Sequence, residues 1–133
     1  MVASQAYTEV DVRIAKAGDK TYVEKLFRSL KVSDRHCKLA ITGGINRPPM
    51  ERKAGTIALF KKSRSLAAEL GFVLDEASTG GGSDGNFTAA LGVPTLDGMG
   101  AVGEGAHAAH ESVVIEHVVP RTALLAAMIA SVE

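Results

Sequence analysis

The stretch GGINRPPMERKAG, residues 43–55, interrupts every periodicity in the chain and constrains its architecture more than any other feature. Glycines at both ends and the Pro48–Pro49 pair cannot continue a helix or a central strand. Before it lies a strand–helix–strand pattern. YTEVDVRI (7–14) alternates, with Val10, Val12 and Ile14 on one face and Glu9, Asp11 and Arg13 on the other, which predicts a strand with one buried face. GDKTYVEKLFRSLKV then places Tyr22, Val23, Leu26, Phe27 and Leu30 at helical spacing, with Asp19 as the N-cap. HCKLAIT (36–42) alternates again and runs into Gly43-Gly44.

Beyond the break the order changes. TIALFKKSRSLAAEL (56–70) predicts an amphipathic helix with Gly71 at C′. FVLDEA (72–77) reads as a short strand, STGGGSDG (78–85) as a loop, and NFTAALG (86–92) as a short helix stopped by Gly92. VPTLDGMG (93–100) reads as a short buried strand, SVVIEHV (112–118) as a brief strand or extended segment, and PRTALLAAMIASVE as a closing helix with Pro120 at N1. Strands alternating with helices indicate an α/β class built of α+β pieces. Two or three short strands are a thin sheet for three apolar helices, so the expectation is a piece of a larger fold.

Composition excludes several functions. Fifteen basic residues balance fifteen acidic ones, so no field draws the chain to nucleic acid or an anionic membrane. Trp is absent, and the two Tyr and four Phe make no base-stacking platform. No run reaches the roughly 18 apolar residues of a membrane span, and the N-terminus lacks a signal-peptide pattern. The single cysteine, Cys37, forms no internal disulfide, so a reducing, cytoplasmic setting is expected.

Three stretches carry candidate chemistry, each with a plainer alternative. In STGGGSDGNF, Gly80, Gly81, Gly82, Ser83 and Asp84 precede a helix, which suits an anion cradle of backbone N–H groups. The alternative is a flexible turn with Asp84 as N-cap. Arg47 is restricted to extended conformations by Pro48 and can clamp a carboxylate bidentately, or is simply a solvated hinge arginine. In GEGAHAAHES, His107 and His110 stand three residues apart, but a catalytic zinc takes three protein ligands. With only His36 and His117 besides, and no HExxH, CxxC or His-x-Asp, a self-contained metal site is not expected.

Together, ITGGINRPPMER, STGGGSDGNFTAALGVPTLDGMG and VGEGAHAAHESV…PRTALLAAMI resemble, in order and separation, the C-terminal half of the dinuclear-zinc carboxypeptidase and aminoacylase family. That family includes glutamate carboxypeptidase and succinyl-diaminopimelate desuccinylase, and the resemblance spans residues 7–132. It implies that residues 1–45 are the second βαβ half of a ferredoxin-like lid and dimerisation domain. It further implies a hinge at 46–55, and the C-terminal part of a zinc-peptidase catalytic domain at 56–133. Arg47 matches the lid arginine that binds the substrate carboxylate, Gly80–Asp84 the loop lining the substrate site, and His107 the metal-ligating histidine. His110 falls where relatives carry a non-ligand, and Glu111 matches an acidic position that supports the ligand or local polar structure. No catalytic residue is assigned, because the family's His-x-Asp and Glu-Glu pairs do not occur in this sequence.

The implied activity is zinc-dependent hydrolysis of peptides or N-acyl amino acids with a free carboxylate, two zinc ions serving a complete site. The implied partners are a second copy or a complementary N-terminal half. The competing reading is a non-catalytic remnant that dimerises or binds small carboxylates.

Overall fold

A computed structural model describes residues 3–131, which divide into two compact units, Met1–Glu51 and Arg52–Glu133. Among its described residues the first unit holds one α-helix, α1 (Lys20–Ser29), entered through a 3-10 turn at Ala17–Asp19. Asp19 stands at the N-cap position, but its backbone is already helical and its side chain makes no capping bond, contrary to the sequence expectation. Glu51 Oε1 accepts the Ala17 N–H at 3.3 Å and ties this turn to the end of the unit.

The strands expected at 7–14 and 36–42 belong to no ladder among the described residues. Their alternation specifies faces, but a ladder also needs a neighbouring edge. The apolar faces are correspondingly open: Tyr7 is 89% exposed and Val10 59%, and on α1 Tyr22 is 65% exposed.

In the second unit α2 (Ala54–Glu69) packs against α4 (Val118–Ser131). Ala67, Leu124 and Met128 form the centre, surrounded by Leu59, Leu66, Phe72, Leu74, Leu96 and Met99. Each large apolar side chain buried here contributes about 1.5–3 kcal/mol. Ser63 is fully buried without penalty because its Oγ donates to the Phe60 carbonyl at 2.9 Å.

α2 ends as its glycine predicts. Gly71 has φ +87°, its N–H reaches the Ala68 carbonyl, and the Phe72 N–H reaches that of Ala67. That pair of bonds is a Schellman motif, and Phe72 packs into the core beside Ala67 as the motif favours. The short α3 (Gly85–Ala90) closes the same way, with Gly92 at φ +86° and Val93 N–H bonded to the Thr88 carbonyl.

Three expectations change in this unit. The segments 72–77 and 93–100 form no ladder among the described residues, where the only sheet pairs β1 (Gly103–Glu104) with β2 (Ser112–Val113), antiparallel. Residues 115–117 turn into a 3-10 helix instead of continuing a strand. α4 begins at Val118, so Pro120 lies within the first turn, not at its opening; its missing N–H is harmless there because first-turn donors have no partner within the helix.

The exposed surface is large. A compact monomer of 13.9 kDa exposes about 6,700 Å², and two separate compact bodies of these sizes about 8,000 Å². The chain exposes 10972 Å². Large apolar side chains are part of it: Val73, Leu91, Ile115 and Val119 are each more than three-quarters exposed.

Candidate functional site

The hairpin of β1 and β2 carries GEGAHAAHES. Its register sets Gly103 opposite Val113 and Glu104 opposite Ser112, leaving residues 105–111 as the connection. Gly103 is required by contact: a Cβ there would stand 2.2 Å from the Ser112 carbonyl oxygen. The Ala108 N–H donates to Gly105 O at 2.8 Å and the Glu111 N–H to Ala108 O at 3.0 Å, so two successive turns fold the loop onto itself.

His107 occupies the third position of the first turn with φ +68°, the only non-glycine residue with positive φ among those described. With Ala106 on the negative side, the signs are those of a type II turn, which normally requires glycine at this place. The left-handed backbone costs an ordinary residue about 1–2 kcal/mol. Such strain persists only when its surroundings impose it. One such constraint is visible: Glu111 Oε2 accepts the His107 amide N–H at 3.2 Å. The His110 ring lies against Gly105, its Cδ2 2.6 Å and Nε2 2.7 Å from where a Cβ on that glycine would sit. Both imidazoles are on exposed residues.

The glycine-rich loop is more self-contained than its sequence suggests. Thr79 Oγ1 accepts the Gly81 N–H at 3.2 Å, Asn86 Oδ1 accepts the Ser83 N–H at 3.0 Å, and Ser83 Oγ accepts the Gly85 N–H at 3.0 Å. Ser83 and Asn86 thus cap reciprocally, in the manner of a capping box with asparagine in the return position. Asp84 is already helical and makes no capping bond, so Ser83 takes the role expected of it. Two amide donors of the expected anion cradle, those of Gly81 and Ser83, are engaged within the loop, as is that of Gly85 beside it. The Ser83 hydroxyl, an acceptor for Gly85, has its own proton to donate to a bound carboxylate.

Arg47 lies on an exposed stretch of the first unit, four residues after Gly43 at φ +120°. His107 and the glycine-rich loop belong to the second unit. His36 sits in the first unit, where its N–H donates to Asp34 Oδ1 at 2.8 Å, and His117 ends the 3-10 turn before α4.

Two arginines join stretches of the second unit that are distant in sequence. Arg121, at the start of α4, donates from Nε to the Gly100 carbonyl at 3.0 Å and from Nη2 to that of Gly98. This clamps the loop that leads into β1, and no local sequence pattern announces a contact 21 and 23 residues away. Arg52 and Glu76 form a two-pronged pair at 2.9 and 2.8 Å. The hydrogen bonds from Arg52 hold the Glu76 carboxyl below its ordinary pKa, and Glu76 raises that of Arg52.

The donor set does not by itself fit a zinc ion. Among the described residues no three His, Cys, Asp or Glu side chains are grouped to hold one, and a catalytic zinc takes three. No helix among the described residues is long and apolar enough to cross a membrane.

Comparison with curated proteins and with solved structures gives no match. Comparison with protein-family models gives one that spans residues 6–131, taking in Arg47, the glycine-rich loop and the His107 hairpin. On that match, covering nearly all of the sequence, the chain belongs to peptidase family M20/M25/M40, a family of metallopeptidase hydrolases.

Proposed function

We propose that the chain serves a zinc-dependent amide hydrolase of the glutamate-carboxypeptidase-like branch, acting on peptides or N-acyl amino acids with a free carboxylate. It contributes one zinc ligand, His107, and the carboxylate-binding groups Arg47, Gly80, Gly81, Gly82, Ser83 and Asp84. The carrying observation is the family match across the three motif-bearing stretches, residues 6–131. Arg47 suits the carboxylate because a guanidinium presents two parallel donors to it. The family's other metal ligands and its general base have no counterpart in this sequence, and a second copy of the chain would not supply them, so turnover requires a complementary N-terminal half.

The purified 133-residue chain is expected to release no glutamate from an N-acyl-glutamate when zinc is supplied. Turnover by the chain alone would overturn this reading. Calorimetry is expected to find only weak zinc binding, since one imidazole does not hold the ion tightly. Stoichiometric sub-micromolar binding would bring in His110 or His117.

A second reading is a non-catalytic remnant that dimerises or binds small carboxylates. It is favoured by the open apolar faces of the first unit, where Val10, Tyr22 and Leu26 are exposed. A neighbouring reading frame encoding His-x-Asp and Glu-Glu, whose product restores hydrolysis when mixed with this chain, decides for the first reading; glutamate binding without restorable turnover decides for the second.

A further inference from the structure

We infer that Glu111 is a positioning residue for His107: its carboxylate, held to the His107 amide, keeps that residue left-handed so that the imidazole projects from the hairpin tip. The inference rests on the reading of His107 as a ligand and adds what holds it in place. Four observations meet here. His107 has φ +68° where a type II turn prefers glycine. Glu111 Oε2 accepts its N–H at 3.2 Å. Glu111 is itself fixed by its N–H to Ala108 O, and Ala108 by its N–H to Gly105 O. The next residue, Ser112, is registered opposite Glu104 in the β1–β2 ladder.

The result is a closed circuit. The ladder anchors Glu111, Glu111 anchors the amide of His107, and the turn between them has no slack. A charged acceptor suits this place, because hydrogen bonds to a carboxylate are roughly twice as strong as neutral ones. The His110 ring stands against Gly105, where no Cβ would fit, so the left-handed glycine costs nothing at the turn's entry and residue 107 is the strained position.

The test uses the full chain, isotopically labelled, as wild type and as Glu111→Ala and Glu111→Gln. In the wild type His107 shows the intense intraresidue Hα–HN NOE that marks a positive φ, and its amide is protected from exchange. Glu111→Ala is expected to weaken that NOE and lower protection about tenfold, as loss of one charge-assisted hydrogen bond implies, while the Gly103–Val113 ladder resonances stay in place. Glu111→Gln, which retains a side-chain acceptor, is expected to recover most of both signals. An unchanged His107 in Glu111→Ala overturns the inference, and so does a collapse of the ladder in both variants, which would make Glu111 a general hairpin contact.

Zinc alone, added to each protein, separates the two readings. Movement of the His107 ring resonances in the wild type supports the ligand reading. No movement sinks that reading while the NOE and exchange results still decide the role of Glu111.

Discussion

The two units of the chain carry similar amounts of apolar patterning and put it to opposite use. In Arg52–Glu133 the apolar faces of α2 and α4 find one another, and Leu124 and Ala67 are fully buried. In Met1–Glu51 no described residue is buried, although Val10, Val12, Tyr22, Leu26, Leu39 and Ile41 follow strand and helix spacing faithfully. The contrast teaches that a helix satisfies its own backbone and needs only a second helix to bury a stripe. A strand needs an edge to bond and a layer to cover it.

The strongest way to break this contrast is to empty the second unit's core. Leu124→Ala is expected to destabilise that unit by about 2–5 kcal/mol, read as loss of its cooperative thermal transition by circular dichroism. A smaller loss would mean that the helix pair is not the source of order there.

Gly103→Ala tests the hairpin, where the added methyl meets a backbone oxygen that cannot turn aside. A cost of about 1–3 kcal/mol is expected from such overpacking, with loss of amide protection at Val114, whose N–H donates to the Val102 carbonyl at 2.9 Å, and little change in α2. In the first unit, Tyr22→Ser should shift the stability of the isolated chain by less than about 0.5 kcal/mol, since the side chain is already in solvent. Its effect should appear instead in sedimentation, as weaker association, because the open faces are the ones an assembly would cover.

The smallest effect concerns Arg52 and Glu76, both at the surface. The folded chain lowers the Glu76 pKa below its ordinary 4.5, so the stabilisation is complete above that value and is lost as pH falls through the folded-state value. Acid titration of stability in the wild type and Glu76→Gln, at low and high salt, should show a slight extra loss in the wild type, fading with salt.

Much of the helix content was legible because its signals are local. Gly71 and Gly92 stop their helices by left-handed conformations that the residue type alone announces. The break at 43–55 contains the division between units, after Glu51. Strands were overread: the segments 7–14, 36–42, 72–77 and 93–100 alternate or run apolar without joining a ladder among the described residues. The site was legible as residue types and not as geometry. GGGSDGN looked like open amide donors, yet Thr79, Ser83 and Asn86 engage three of those amides from within the loop.

By itself the sequence determined the family, through three motifs in order, and the local punctuation of helices and turns, because glycine, proline and capping residues act over a few bonds. Only the tertiary structure decided that His107 sits left-handed under the carboxylate of Glu111, that Arg121 reaches back to Gly98 and Gly100, and which apolar faces stay open. Those are matters of which distant groups meet. Periodicity states what a face prefers, and contact alone determines whether anything answers it.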